Sequence, residues 1–224
     1  ANTRLVLEGL EQAQSVIAFT PYKSASLLKH ADVLLPIAIY AENEGTTVNV
    51  AGQSQQFSAC VSAPGEARPG WKVLRVLANH LGIPGTDYQS IDEIRNELGK
   101  VISGIAPDNR SVWDRPAALP AMGKQVYRIS EIPMNSVDSL VRRAPALQET
   151  ADVADANVRI SSILAASLGL NGSDKVRVEQ QGVTLDLACL VDSRLPDNTV
   201  LIHAAHPATA VLGSWFSDVT IRKI

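Results

Sequence analysis

The sequence has few of the residues on which metal, iron–sulfur and disulfide proteins depend. Its 224 residues include two cysteines, Cys60 and Cys189, and four histidines. Two cysteines this far apart cannot supply the thiolate sets of an iron–sulfur cluster or a structural zinc site. We therefore expect two small apolar thiols in a reducing compartment, and we predict no metal site in this chain.

Excess charge and long apolar runs are also lacking. Twenty basic residues face 23 acidic ones, for a net charge of −3, which is not the balance of a nucleic-acid-binding domain. The longest apolar runs, such as VLLPIAIYA from Val33, are far shorter than the roughly 18 residues of a membrane-spanning helix. We expect a soluble chain that binds no nucleic acid.

The common catalytic motifs are missing as well. The chain contains no G-x-G-x-x-G, Walker loop, G-x-S-x-G or H-E-x-x-H sequence. His203 and His206 are three residues apart, but no carboxylate at matching spacing accompanies them, so we interpret both as core or solvent-facing histidines. Glu42 and Glu44 flank a turn and are interpreted as solvated. The residues alone give no catalytic assignment.

The first 36 residues have the pattern of a β-α-β unit. Apolar spacing predicts a helix over 3–14 and a buried strand over 16–19. Ser24 is a predicted N-cap for a helix that ends at His30, and a second strand covers 33–35 before Pro36 ends it. Such a crossover joins parallel strands.

Two amphipathic helices are predicted to cover this sheet. A turn at 42–45 and a short strand or extended loop that ends near Gly52 come before them. The first helix follows Pro69 and the second follows the capping box of Ser90 and Glu93. Their apolar stripes are Trp71, Leu74, Leu77, Ala78 and Leu81, and Ile91, Ile94, Leu98, Val101 and Ile102.

The rest of the chain divides into two parts. Prolines recur over 105–156, where 127–132 is the one plausible strand, and we predict an irregular traversing segment. From residue 157 short strands and two helical inserts predict a small β-barrel. Its predicted elements are a helix over 161–168, strands over 175–179, 185–191, 200–203 and 219–224, and a helical turn over 206–212. The predicted domains are 1–104, 105–156 and 157–224.

Several strings of this sequence resemble the molybdopterin oxidoreductase family. They are ADVLLP from Ala31, AENEGTTVN from Ala41, Gln55, and PGEARPGWKVLRVLANHLG from Pro64. SIDEIRNEL from Ser90 and VDSLVRRAPALQ from Val137 look most like the member of this superfamily in bacterial NADH:quinone oxidoreductase (respiratory complex I), one of its iron–sulfur subunits. HPATAVLG from His206 is similar to the family's C-terminal module. The resemblance implies an α/β fold, a partial doubly wound sheet with a small β-barrel-like C-terminal module.

Resemblance to the iron–sulfur subunit of complex I implies a non-catalytic, structural C-terminal segment that supports electron transfer from NADH to quinone. In that subunit this part keeps the fold without a pterin cofactor, and the iron–sulfur clusters belong to an N-terminal portion absent from this sequence. The implied partners are the rest of the iron–sulfur subunit and other complex I subunits. The implied location is the cytoplasmic side of the bacterial inner membrane, as a peripheral protein whose membrane contact is indirect.

The alternative is the cofactor-binding end of a molybdopterin-dependent oxidoreductase such as a formate dehydrogenase. In that case Asn49, Gln55 and Arg68, together with the tail, would contact a pterin dinucleotide. The superfamily usually reads N-x-E-G-R-x-Q where this chain has Ala51 and Gln53 in place of the acid and the arginine. This departure favours the non-catalytic interpretation.

The roles of three arginines stay open at this point. Arg68 could bind an anion, but an ion pair with Glu66 or Asp32 that fixes its loop is favoured. The adjacent Arg142 and Arg143 are interpreted either as an exposed surface pair or as a contact to a partner.

Overall fold

The computed structural model describes residues 3–105, 108, 110, 125–153 and 155–224. The described chain forms two compact units. One comprises the described residues from 13 to 110, and the other joins helix α1 (Thr3–Gln12) to the described residues from 125 onward. No helix in the described part of the chain has the length and apolar character needed to cross a bilayer.

The unit that begins at residue 13 opens with the predicted β-α-β crossover, which is confirmed. Strand β1 (Ile17–Thr20) and strand β2 (Val33–Pro36) pair in parallel, and helix α2 (Ala25–His30) joins them. The Ser24 hydroxyl accepts a hydrogen bond from the Leu27 amide and so caps α2 as predicted. Sequence and structure agree here because each element carries its own start and stop signals.

A hairpin follows where a single strand or loop was predicted. Strand β3 (Gly45–Val48) pairs antiparallel with strand β4 (Ser54–Phe57). The sequence of β4, SQQF, has no apolar alternation, so its pattern did not indicate a strand. A Cβ at Gly45 would lie 2.9 Å from Cζ of the Phe57 ring, so a larger residue there would require the ring to shift.

Helices α3 (Gly70–His80) and α4 (Ile91–Ile102) lie where two helices were predicted. The Ser90 hydroxyl accepts from the Glu93 amide at 3.3 Å, while the Glu93 carboxylate accepts from the Gln89 amide at 2.8 Å. No residue of either helix is buried, although both are fully described. Ala38 is the only buried residue among described positions 13–105. The helices therefore leave much of their apolar stripes uncovered.

The second unit contains a closed six-stranded barrel, so the predicted α/β fold with a barrel-like module is confirmed. Around the barrel the strands follow the order β10, β5, β9, β6, β8, β7. Strands β5 and β9 are parallel, as are β6 and β8, and the other neighbours are antiparallel. Their bounds are β5 Val126–Ile129, β6 Asn157–Ile160, β7 Lys175–Gln180, β8 Val183–Val191, β9 Thr199–Leu201 and β10 Ser217–Lys223.

Alternating side chains from these strands fill the barrel. The buried apolar set includes Val158, Ile160, Val176, Val178, Leu187, Cys189, Val200, Ile202, Val219 and Ile221. Helix α6 (Ser162–Ser167), which follows the short helix α5 (Pro145–Gln148), adds Leu164 and Ala165 to the core. On the inward-facing side of β8, Leu187 and Cys189 are buried, whereas Val191, where the strand ends, is 43% exposed.

Strand β5 differs from the sequence-based expectation. It belongs to the barrel, although it lies within the segment predicted to traverse irregularly. Of the prolines that suggested this segment, Pro107, Pro116 and Pro120 lie outside the described residues. The three-part division at 104 and 156 stays a prediction.

A tight turn joins β7 and β8. Gln181 and Gly182 have φ angles of 49° and 83°, the left-handed pair of a tight hairpin turn whose twist matches that of the strands. The Gln181 carbonyl also accepts a hydrogen bond from Arg4 of α1 at 2.7 Å. This contact attaches α1 to the same end of the barrel.

One charged side chain points into the barrel. Arg128 of β5 is 1% exposed, and its Nη1 donates to Gln180 Oε1 at 2.7 Å. The Gln180 Nε2 in turn donates to the Ser214 carbonyl and to Ser217 Oγ. Burial lowers the pKa of Arg128 to about 10, so the guanidinium remains charged at neutral pH. Gln180 therefore supplies the side-chain hydrogen bond that stabilises the buried charge of Arg128.

We expect Gln180→Ala to lower the free energy of unfolding by about 1.5–3 kcal/mol, because it removes the side-chain acceptor of a buried guanidinium and leaves it only the Ile202 carbonyl at 3.5 Å. The control is Glu179→Ala, an exposed position on the same strand, which should change it by less than about 0.5 kcal/mol. Urea unfolding followed by circular dichroism measures both. Equal losses in the two variants would contradict the role given to Gln180.

Candidate functional site

Asn49 forms the turn of the β3–β4 hairpin. Its Oδ1 accepts from the Ala51 and Gln53 amides, both at 3.0 Å, and its Nδ2 donates to Gln53 Oε1 at 2.9 Å. Ala51 and Gln53 are the positions where the chain departs from the superfamily pattern. The side chain of Asn49 thus makes its hydrogen bonds within its own turn, as turn-forming asparagines do.

Gln55 and Arg68 occupy different parts of the same unit. Gln55 lies on β4, is exposed, and pairs with Thr47 through the main chain. Arg68 Nη1 donates to the Gly65 carbonyl at 2.9 Å and the Ala67 carbonyl at 2.7 Å. Both residues are exposed side chains rather than lining groups of an enclosed site.

The loop around Arg68 is fixed by carbonyl groups rather than by the favoured ion pair. In addition to the two bonds that the guanidinium donates, the Arg68 carbonyl accepts from the Ala38 amide at 2.9 Å. The Asp32 carboxylate instead accepts from the Val16 amide at 2.8 Å. The favoured ion pair of Arg68 with Glu66 or Asp32 is not formed; its guanidinium instead binds main-chain oxygens, which the sequence pattern could not indicate.

Arg68 and Glu42 both line one shallow depression. It has a volume of about 400 Å³, and the exposed Cys60 also lies on its wall. The Glu42 carboxylate accepts from the Ile39 amide at 3.1 Å and so holds the 3-10 turn Tyr40–Glu42. Asn49 and Gln55 are not among the residues that line the depression. The structure therefore brings two of the sequence candidates together and leaves the other two on the hairpin.

No metal site is formed by the described residues. No group of three His, Cys, Asp or Glu side chains among them is arranged to hold an ion. His203 is buried, and His206 Nδ1 accepts from the Ala208 amide at 3.1 Å within a series of turns. These turns occupy the position of the predicted short helix.

A second candidate site lies at one end of the barrel and was not predicted. Four buried polar atoms there lack a hydrogen-bond partner within the described structure: Ser130 Oγ, Asn157 Oδ1, Arg159 Nε and His203 Nδ1. We call these four residues the strand-end cluster. Each such atom costs about 1–3 kcal/mol if it stays unpaired, so buried polar atoms normally find a partner or an ordered water.

The barrel topology explains why these residues gather. Strand β5 runs parallel to β9, with Ile129 opposite Leu201, so both strands end at the same edge. Strand β6 runs antiparallel to β9, with Arg159 opposite Leu201, so β6 begins at that edge. Residues far apart in sequence thereby become neighbours. No spacing within the sequence signals this arrangement.

His203 is the member whose electrostatics are most affected. Its Nδ1 lies 3.7 Å from Glu131 Oε1. Burial lowers the pKa of His203, Glu131 and Asp155 oppose this effect, and Arg159 and His206 add to it. The imidazole is therefore neutral at pH 7 and offers one donor and one acceptor nitrogen.

Arg159 connects the cluster to the carboxylate of Asp192, whose side chain is only 14% exposed. Arg159 Nη1 lies 3.8 Å from Asp192 Oδ2, and Asp192 also accepts two charge-assisted bonds from Arg194. The Arg194 guanidinium and amide hold the pKa of Asp192 below its usual range. The strand-end cluster thus combines a hydroxyl, an amide, an imidazole and a guanidinium, groups suited to a polar organic ligand.

Residues 1–80 match the family model described as Molybdopterin oxidoreductase. The chain is 41% identical over 79 residues to the F420-dependent formate dehydrogenase 2 subunit alpha of Methanococcus maripaludis, covering 35% of this chain and 12% of that one. It is 36% identical over 108 residues to the assimilatory nitrate reductase catalytic subunit of Bacillus subtilis, covering 48% and 15%. It is 37% identical over 76 residues to the mitochondrial NADH-ubiquinone oxidoreductase 78 kDa subunit of Neurospora crassa, covering 34% and 10%.

The fold is also found in a solved protein. The acetylene hydratase from Pelobacter acetylenicus superposes with a TM-score of 0.68 and 16% identity, over 100% of this chain and 42% of that one. This likeness shows the fold. The sequence matches span 10–15% of the length of the three relatives named above.

We expect Asn49→Ala to speed amide hydrogen exchange at Ala51 and Gln53 about five-fold, which corresponds to about 1 kcal/mol for the lost acceptor. Asn49→Asp keeps the acceptor oxygen and should exchange close to the wild-type rate. Nuclear magnetic resonance resolves the two amides. If Asn49→Asp exchanged as fast as Asn49→Ala, the side-chain oxygen would not be what holds the turn.

His203 predicts a pH dependence of stability. Because its folded-state pKa lies below the ordinary value of 6.5, the unfolded chain binds the proton first as pH falls. The stability from neutral His203 is full above about pH 6.5 and declines as pH drops toward the folded-state pKa. We expect the free energy of unfolding to rise from about pH 5.5 to 7, and His203→Gln to flatten that rise. Urea titrations at several pH values measure it, and an unchanged slope in the variant would refute it.

Proposed function

We propose that this chain is a non-catalytic, structural C-terminal segment of the iron–sulfur subunit of NADH:quinone oxidoreductase, which supports electron transfer from NADH to quinone. The observation that carries the proposal is the closed hydrogen-bonding of Asn49 with Ala51 and Gln53. In the stretch where the resemblance implies cofactor contacts, the polar atoms of Asn49 stabilise the chain itself. Similarity to the 78 kDa subunits of Neurospora crassa and Candida albicans supports the same choice.

The residues of the hairpin and the following loop do not fit a pterin site. A pterin carries many donors and acceptors and needs convergent polar groups that are shielded from water. Gln55 and Arg68 are exposed, Arg68 binds its own loop, and Ala51 has no polar side chain. These residues contribute loop and hairpin stability instead.

The proposal extends to the surroundings of the chain. No cofactor is assigned to this chain, and the iron–sulfur clusters are assigned to the N-terminal part of the parent subunit. Its partners are the rest of that subunit and other subunits of the complex. The assembly would hold it at the cytoplasmic face of the bacterial inner membrane, with indirect membrane contact.

A second candidate is the cofactor-binding end of a molybdopterin-dependent oxidoreductase. The strand-end cluster favours it. Its four buried polar atoms have no partner within the described protein, and a polar ligand bound there would supply the missing hydrogen bonds. The 41% identity with the formate dehydrogenase subunit supports it as well. Under this candidate the tail would hold the pterin dinucleotide, with Asn49, Gln55 and Arg68 at the other unit.

The deciding measurement is the molybdenum and tungsten content of the full-length parent, purified from its source membranes, by plasma mass spectrometry. We expect far less than one metal per chain, together with co-purifying NADH:quinone activity. Near one metal per chain without that activity would overturn the first candidate and establish the second. Asn157→Ala sharpens the test, because it should lower metal content only if the strand-end cluster holds the cofactor.

A further inference from the structure

A groove lies between strand β2 and helix α3 in the unit that begins at residue 13. Its volume is about 480 Å³, which is within the range of small-molecule sites. No member of the strand-end cluster lines it, and neither do Asn49 and Gln55. We call it the α3 groove. Its apolar lining residues are Leu35 of β2 and Val73, Val76 and Leu77 of α3.

Basic side chains supply the polar part of the lining. They are Arg68, Lys72, Arg75 and His80, and no described Asp or Glu residue lines the groove. Lys72 and His80 are exposed, and they share one face of α3 with Val76 because the three residues recur at every fourth position. The α3 groove therefore places cationic side chains beside an apolar surface.

The three cations of the α3 groove are not neutralised by the described residues. None of them takes part in an ion pair within the described chain. Arg68 and Arg75 donate from Nη1 to main-chain carbonyls, which are neutral, and Arg75 Nε is buried without a partner in the described structure. The Lys72 ammonium lies 5.2 Å from the centre of the Trp71 ring, which attracts a cation but carries no net charge.

The acidic side chains that are closest in sequence lie outside the α3 groove. Glu66 is exposed and forms no ion pair with Arg68. Asp32 and Glu42 accept hydrogen bonds from main-chain amides, and Glu42 lines the separate depression described above. Cations beside an apolar, low-dielectric surface attract an anion more strongly than the same cations in open water. The charge and the shape of the groove thus both indicate an anionic ligand with an apolar part.

We propose that the α3 groove binds an amphipathic organic anion, in which a carboxylate or a phosphate is joined to an apolar chain or ring. The anionic group would pair with Lys72, and the apolar part would cover Val73 and Val76. An inorganic anion or a neutral apolar molecule would use only one half of the lining. The inference does not rest on the proposed function, which assigns no role to Lys72 or to the apolar residues of the groove.

Photolabelling of the purified full-length parent tests the binding. The probe is an alkyl phosphate whose chain carries a diazirine, and mass spectrometry locates the labelled peptide. We expect label within residues 68–80, which excess octyl phosphate or octanoate should remove. Octanol and inorganic phosphate each lack one half of the ligand and should compete about ten-fold less well or worse. Equal competition by either of these two would overturn the proposal. Absence of label from residues 68–80, as when other protein covers the groove, would overturn it as well.

Charge reversal at Lys72 tests the assigned contact. Lys72→Glu should lower labelling about ten-fold, as expected for the loss of a hydrogen bond between charged groups, and Lys72→Arg should retain most of it. The matched control is Lys100→Glu, at an exposed position of α4 in the same unit, which should leave labelling unchanged. Equal losses in the two glutamate variants would overturn the assigned contact. The readout does not involve metal content, so it is independent of the test of the proposed function.

Discussion

Closure of the barrel through β5 is the constraint on which most of the described structure depends. This four-residue strand pairs with β10 on one side and β9 on the other, and without it both would be open edges. The same strand brings Arg128 into the interior, where the side-chain oxygen of Gln180 and the carbonyl of Ile202 accept hydrogen bonds from its guanidinium. Closure also sets the edge at which β5 and β9 end and β6 begins. A single short strand thus determines the core and the position of the strand-end cluster.

The unit that begins at residue 13 is built differently. Its parallel sheet has two strands, and its helices bury none of their residues. Leu74 and Leu81 of the α3 stripe are 54% and 66% exposed. A sheet of this size is at best marginally stable alone, so we expect the unit to gain stability from protein that packs on α3 and on the strand edges. The structural role proposed above would provide that environment.

The parts of the fold that could be predicted are those with local signals. The Ser24 cap and Pro36 bound the crossover, and the alternation of Leu185, Leu187 and Cys189 marks β8. Strand β4 was not predicted because most of its residues are polar. The place of β5 in the barrel was not predicted because one of its inward-facing positions is an arginine, which breaks the expected apolar pattern. The strand-end cluster depends on strand order alone, which no local pattern encodes. Of the sequence candidates, only Glu42 and Arg68 line the same open depression.

The two candidate functions depend on which polar side-chain atoms are free to bind a ligand. Those of Asn49 make bonds within its own turn, which favours the structural candidate. Those of Asn157 and His203 are buried and unpaired within the described structure, and they lie outside residues 1–80, where the family model matches. Similarity in the first 80 residues therefore does not distinguish a scaffold from a cofactor-binding protein. Binding at this end of the barrel would satisfy donors and acceptors that the fold itself leaves without partners, whereas binding at the hairpin would compete with the bonds that Asn49 already makes.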